Sequence, residues 1–209
     1  MITGIMGGTF DPVHFGHLRP GLEILQALEL DELRLIPCHI PPHRPRPHAN
    51  PSQRLMMLQE AVRHEPRLIV DSRELERDGA SYTYDTLLSF REELGDIPLC
   101  LIIGMDAFLQ LPEWHRWQDL LDLCHVVAML RPGRTVPVEG VMGRIARERL
   151  VSDRQDLCRK SSGYILYQEV TQMDISATAI RDMLLHGKSP RFLLPDAVLT
   201  IIEAEGIYQ

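Results

Sequence analysis

The chain has 209 residues, 44% of them hydrophobic and 24% charged, with a formal net charge of −7. That length suits one domain, with or without an appended subdomain, and is enough to bury a real core. The acidic balance argues against a general polyanion binder, and no apolar run approaches the roughly 20 residues of a membrane helix.

The chain opens on the apolar run "ITGIM", with no basic region or small-residue cleavage site before it, so no signal peptide is expected. Further apolar runs follow: "LRLIP" at 33–37, "LIV" at 68–70, "PLCLIIG" at 98–104, "HVVAML" at 125–130 and "YILY" at 164–167. The first, fourth and fifth are nearly all apolar, as strands covered on both faces must be. Amphipathic stretches lie between them. Leu18, Leu22, Leu25 and Leu28 fall at helical spacing over 17–29. Asn50-Pro51 reads as a cap followed by proline at the first position of a helix over 51–64. Residues 84–94 and 117–123 also read as helices. Strand–helix alternation of this kind predicts an α/β fold, a parallel sheet with right-handed crossovers.

After "YILY" the pattern changes. "ISATAIRDMLLHG" and "PDAVLTIIEAEG" read as short helices ending at Gly187 and Gly206, a helical lid or tail on the sheet domain. The stretch "PCHIPPHRPRPHAN" at 37–50 is dense in proline, which removes donors and forbids helix, so it is a stiff extended loop. Cys38, Cys100, Cys124 and Cys158 form no CxxC pair and no zinc-like spacing, so they are expected to be reduced thiols of a cytoplasmic protein.

The segment "GIMGGTFDPVHFGHL" carries the chemistry. Gly7 and Gly8 follow the first strand, at the carboxyl end where α/β sheets bind ligands. Glycine lets backbone N–H groups approach an anion, and a helix starting near Pro12–His14 points its positive end into the same space. His14 and His17 share a helix face, with Gly16 keeping that face open. Two such histidines also suit a metal, but the zinc-protease pattern needs an intervening glutamate and a third ligand. Imidazole N–H groups donating to phosphate fit these residues better.

"GGTFDPVHFGHL" resembles the signature of the HxGH nucleotidyltransferase superfamily, and "ISATAIRDML" at 175–184 resembles its second signature, ISSTxIR. "PPHR" (41–44), "SYT" (81–83), "IIGMD" (102–106), "PEWHRW" (112–117) and "RPG" (131–133) are similar to one branch of it, the bacterial nicotinate-nucleotide adenylyltransferases. The resemblance covers essentially the whole chain. It departs at Ala177, which replaces a serine, and at "PCH" (37–39), where the family often carries asparagine.

The resemblance implies a Rossmann-like parallel sheet with helices on both faces over 1–170, and a small C-terminal helical subdomain over 171–209 carrying the phosphate motif. The implied reaction joins ATP and nicotinate mononucleotide to give deamido-NAD and pyrophosphate, with Mg²⁺ arriving on ATP. A phosphate monoester is already ionised near neutral pH, so a site of donors suffices and no base is needed. The implied catalytic residues are His14, His17 and Arg181, with His17 at the α-phosphate and Arg181 at the β- and γ-phosphates. ATP would also be held by Gly7, Gly8, Thr9, Phe10, His43, Arg44, Gly104, Asp106, Ser176 and Thr178. The mononucleotide would be met by Tyr82, Thr83, Trp114, His115 and Arg131, with Glu113 turned to solvent. On spacing alone Ser176 is equally a helix cap and Trp114 a core residue. No nucleic acid or membrane partner is expected, and the oligomeric state is left open. Two rivals stand: the same fold serving nicotinamide mononucleotide or another phosphate acceptor, and a nucleotide-binding regulator without turnover.

Overall fold

Three nearly continuous apolar runs become the centre of the sheet. In the computed structural model, which describes residues 1–42, 45–131, 133, 139–171 and 173–209, these are β1 (Thr3–Gly8), β4 (Leu99–Gly104) and β5 (His125–Leu130). They are flanked by β2 (Glu32–Pro37), β3 (Leu68–Val70), β6 (Leu150–Val151) and β7 (Ile165–Glu169). The strands run in the order β3-β2-β1-β4-β5-β7-β6, and every pairing is parallel. β5 is buried along its whole length, whereas the edge strands β3 and β6 have three and two residues. Burial on both faces calls for apolar runs in the middle, and short edges leave little unpaired backbone.

Successive side chains of β1 feed two cores, since strand side chains alternate between faces. Met6 packs with Ile24 of α1 (Phe15–Ala27), Met57 of α2 (Pro51–Val62), Ile180 of α8 (Ala177–Leu185) and Val198 of α9 (Asp196–Ala204). Ile5 packs on the opposite face with Phe90 of α3 (Thr83–Leu94), Phe108 of α4 (Met105–Leu109), Leu120 of α5 (Trp117–Leu123) and Met142 of α6 (Gly140–Arg149). A short α7 (Arg154–Leu157) places Leu157 in the first core. The two helices after β7 thus bury their apolar stripes in the same layer as α1 and α2.

All six strands and six helices expected from the sequence are present, with ends shifted by one or two residues; the first helix starts at Phe15. Asn50 caps α2 in a reciprocal pair: its side chain accepts from the Gln53 N–H at 2.9 Å, and Gln53 returns the bond at 3.1 Å. Five elements escape the sequence reading: α4, the 3-10 turn at Leu111–Glu113, α6, α7 and β6. They are short, or, like α6, bury little more than Met142, Gly143 and Ala146, too few apolar positions for a helical period. The chain leaves β1 toward β2 on one side and returns to β4 on the other. The switch point of the sheet therefore lies between β1 and β4, where doubly wound sheets open a crevice.

Candidate active site

A cleft of about 810 Å³ opens at this switch point. One end is built from the turn after β1, the start of α1 and the start of α8. Phe10 takes a left-handed conformation (φ 49°) and turns its ring inward, 1% exposed. A Cβ at Gly8 would stand 2.8 Å from that ring, so only glycine fits there; beside Gly7 the space is open to the cleft.

His14 and His17 stack with ring centroids 3.8 Å apart, and the Phe10 ring meets His17 edge-on at 5.1 Å. A Cβ on Gly16 would lie 2.9 Å from His14 Nδ1 and 3.4 Å from the Ile175 carbonyl, so glycine here makes room for the first imidazole. His14 is 4% exposed, its Nδ1 lacks a hydrogen-bond partner, and burial pushes its pKa down to about 4. It is a neutral imidazole at physiological pH.

The N-terminus of α1 is less open than the sequence suggests. The Phe15 N–H donates to the Leu193 carbonyl at 3.0 Å, and the His17 N–H to the His14 carbonyl at 2.9 Å. Two of its early donors are spent inside the fold, which leaves the imidazoles as the main donors on this side. At α8 the Ser176 side chain accepts from the Ala179 N–H at 3.1 Å, so the hydroxyl is a helix cap that also lines the cleft. Thr178 lines it too, and Arg181 Nη2 donates to the Thr178 hydroxyl at 3.2 Å.

Asp11 ties these pieces together. Its carboxylate accepts from the backbone N–H groups of His48 (2.8 Å) and Ala49 (3.0 Å) and from the Tyr208 hydroxyl (2.6 Å). Arg181 Nη1 donates to its carbonyl at 2.6 Å and lies 3.7 Å from its carboxylate. Burial raises the Asp11 pKa, but the Tyr208 hydroxyl, the two N–H groups and Arg181 outweigh it and hold the carboxyl below its ordinary range. Arg54 is a second buried charge, 1% exposed, donating from Nη1 to the Thr9 carbonyl at 2.8 Å.

The other end of the cleft is differently made. α3 starts at Thr83 with no side-chain cap on Tyr82, so its first N–H groups face the cleft mouth without intrahelical partners. The rings of Tyr82 and His115 lie 4.4 Å apart. Trp114 is half-buried, with part of its ring on the core and part on the cleft, while Trp117 packs on the same core without lining the cleft. Glu113 is exposed at the rim. Glu74 lines the cleft as well, 7% exposed and accepting from the Thr86 hydroxyl at 2.6 Å; burial raises its pKa.

The cleft therefore gathers Gly7, Gly8, Thr9, Phe10, His14 and His17 with Gly104, and Ser176, Thr178 and Arg181 with Tyr82, Thr83, Trp114 and His115. Asp106 and Arg131 are exposed after β4 and β5 and do not line it. His43 and Arg44 lie outside the described residues. Sequence reasoning missed Asp11, Arg54, Glu74 and Tyr208. Arg54 left a signal, because it shares a helical stripe with the buried Met57, Leu58 and Val62, where a charge is out of place. Cys38, Cys100 and Cys124 are buried, Cys158 is exposed, and all four are unpaired. Among the described residues no helix is long and apolar enough to cross a membrane.

A family model described as cytidylyltransferase-like matches residues 5–183. The chain is 51% identical over 208 residues to the probable nicotinate-nucleotide adenylyltransferase of Methylococcus capsulatus, covering 99% of both chains. It is 50% identical over 206 residues to the protein of the same description from Halorhodospira halophila, covering 98% of this chain and 94% of that one. Its fold matches Plasmodium falciparum nicotinic acid mononucleotide adenylyltransferase complexed with NaAD, with a TM-score of 0.75 at 14% identity, over 99% of this chain and 97% of that one.

Proposed function

The chain belongs to the cytidylyltransferase-like family, and from that premise we infer how its cleft works as a nucleotidyltransferase. It transfers the adenylyl group of ATP to nicotinate mononucleotide, giving deamido-NAD and pyrophosphate in NAD biosynthesis. The 5′-phosphate oxygen of the mononucleotide attacks the α-phosphorus of ATP. A new P–O bond forms as the bond to the β-phosphate oxygen breaks, and the electron pair leaves with pyrophosphate. The attacking group is already an anion, so the protein's task is alignment and charge neutralisation. Asp11 is not a base in this scheme, because its oxygens are committed to donors.

His17 donates to the α-phosphate, His14 to a neighbouring phosphate oxygen as a neutral imidazole, and Arg181 to the leaving pyrophosphate. Thr9, Ser176 and Thr178 line the phosphate path, with Gly7 and Gly8 leaving room for it. His43 and Arg44 join them from the proline-rich loop. Gly104 belongs to the ribose side; Asp106 and Arg131, which stand outside the cleft lining, would meet the ribose and a phosphate of the mononucleotide only by turning inward. Tyr82, Thr83, Trp114 and His115 receive the pyridine ring, Trp114 by stacking and the start of α3 by donating to the ring carboxylate. A divalent ion accompanies ATP in this chemistry, and we assign Mg²⁺. Among the described residues no group of three or more His, Cys, Asp or Glu side chains is placed to hold it, so it enters on the phosphates. Four unpaired cysteines support a cytoplasmic setting.

One observation carries the reading: a single cleft at the switch point joins the stacked His14–His17 pair and Arg181 at one end to the uncapped start of α3 beside Tyr82 and His115 at the other. The test is pyrophosphate release with ATP and Mg²⁺, comparing nicotinate and nicotinamide mononucleotides. A donor-lined pocket leaves groups unpaired against the amide, and such sites reject an analogue by roughly 10⁴-fold. Glu74 does not reverse this, since it already accepts from Thr86 and has Arg77 close by. Equal kcat/KM for the two, or preference for the amide, would overturn the acceptor and leave the ATP end standing.

A further inference from the structure

Tyr208 lies 197 residues from Asp11 in sequence, beyond α9, yet its hydroxyl donates to Asp11 Oδ1 at 2.6 Å. The approach is built rather than incidental. Gly206 takes φ 60°, Ile207 buries its side chain and donates its N–H to the Ile202 carbonyl at 3.0 Å, and Tyr208 itself adopts φ 66°. A left-handed tyrosine is strained, and persists where the surroundings over-determine it. Here the ring packs against the core formed by α1, α2, α8 and α9, and only the hydroxyl reaches the turn after β1.

What that hydroxyl holds explains why the cost is tolerated. Asp11 touches three parts of the phosphate end. Its carboxylate anchors His48 and Ala49, where the proline-rich loop returns to α2. Its carbonyl receives Arg181 of α8. Its own backbone belongs to the turn that leads into His14 and His17. A carboxylate accepts from up to four directions, and the Tyr208 hydroxyl shares Oδ1 with the Ala49 N–H while the His48 N–H holds Oδ2. Without it the carboxylate keeps its two N–H anchors but loses a partner on Oδ1, which loosens its hold on the loop and on Arg181, 3.7 Å from Oδ2.

Resting on the function proposed above, we propose that Tyr208 is a positioning residue of the ATP end: by fixing the Asp11 carboxylate it sets the proline-rich loop and Arg181 relative to the two histidines. It touches no substrate, so it acts through Asp11 alone.

The test uses the full chain, ATP, Mg²⁺ and nicotinate mononucleotide. Tyr208→Phe keeps the ring and removes the hydroxyl. Kcat/KM for ATP is expected to fall about tenfold, the effect of one hydrogen bond to a charged group. KM for the mononucleotide stays within about twofold, because that end shares no bond with Asp11. Asp11→Ala, which removes the acceptor, loses more, and adding Tyr208→Phe to it costs nothing further, since partners in one network are not additive. An unchanged kcat/KM for ATP in Tyr208→Phe overturns the proposal. So does a matching rise in KM for both substrates, or additive losses in the double variant, each the mark of general loosening. Should Tyr208→Phe misfold, the melting temperature of Asp11→Ala with and without saturating ATP gives the same answer: the proposal requires a smaller ATP-induced rise than in the wild type, and an undiminished rise overturns it. If the wild type itself releases no pyrophosphate, the failure belongs to the assigned reaction and not to Tyr208.

Discussion

The two ends of the cleft are built on opposite plans. At the phosphate end His14, Asp11 and Arg54 are at most 4% exposed, and the bonds that set Asp11 and Arg54 reach across 37 to 197 residues of sequence. At the pyridine end His115 and Glu113 are exposed, Trp114 is half-buried, and local elements supply the walls: the start of α3 and the turn before α5. The difference follows from the task. Charge that develops during reaction is stabilised only by donors fixed beforehand, which calls for a dry and over-determined shell. Choosing between two flat rings needs a stacking face and a few donors, which short segments can present.

The comparison breaks most readily at His17. His17→Ala is expected to lower kcat on the order of 100–1,000-fold, with melting temperature and KM for ATP changed far less. A variant within about threefold of wild type would falsify the role of His17 at the α-phosphate.

Arg181→Ala comes next, with kcat/KM for ATP falling roughly 10–100-fold, since one guanidinium serves both the leaving group and the Asp11 carbonyl. Arg181→Lys recovers only part of this, because a point charge lacks the fork. Kinetics unchanged in both variants would return Arg181 to a surface role.

Trp114→Ala sharpens the contrast from the other side. KM for the mononucleotide should rise about two- to tenfold, the worth of an aromatic stack, while KM for ATP holds. A matching rise for ATP would show that the two ends are not separable.

The smallest effect concerns acid. Burial lowers the His14 pKa to about 4, below its unfolded value of 6.5. The unfolded chain therefore binds more protons between those values, and stability falls as pH drops from 6.5 toward 4. At pH 5 the loss is about 2 kcal/mol at most. His125 acts in the same direction: burial lowers its pKa, and its Nδ1 accepts the Tyr164 N–H while Nε2 faces the Leu157 and Lys160 carbonyls. Melting temperature should decline from pH 7 to pH 5, and less steeply in His14→Asn. An identical slope in the variant removes His14 from the account.

The sequence speaks to these ends unequally. Strands β1, β4 and β5 are legible because burial on both faces leaves a continuous apolar run, and α2 because Asn50-Pro51 marks its start. His14, His17 and Arg181 are legible as donors at meaningful spacing, and Tyr82 and Trp114 through short motifs. Asp11 lay inside the clearest motif, yet its role was hidden, because an aspartate's partners 37, 38 and 197 residues away leave no local periodicity. Glu74 was hidden for the same reason. The α1 terminus is less open than its own residues suggest, because the acceptor for the Phe15 N–H comes from the distant Leu193.

The distance between Asp11 and Tyr208 also sets an order of events during synthesis. The turn after β1 is made before its clamp, which follows 197 residues later. At 5–20 residues per second that interval is roughly 10–40 s. β4, the neighbour of β1 across the switch point, is made well before that clamp, but until Tyr208 arrives Asp11 lacks one of the bonds that hold the turn. A growing chain carries the whole signature motif long before it can use it, so catalytic competence is a property of late translation and not of the motif itself.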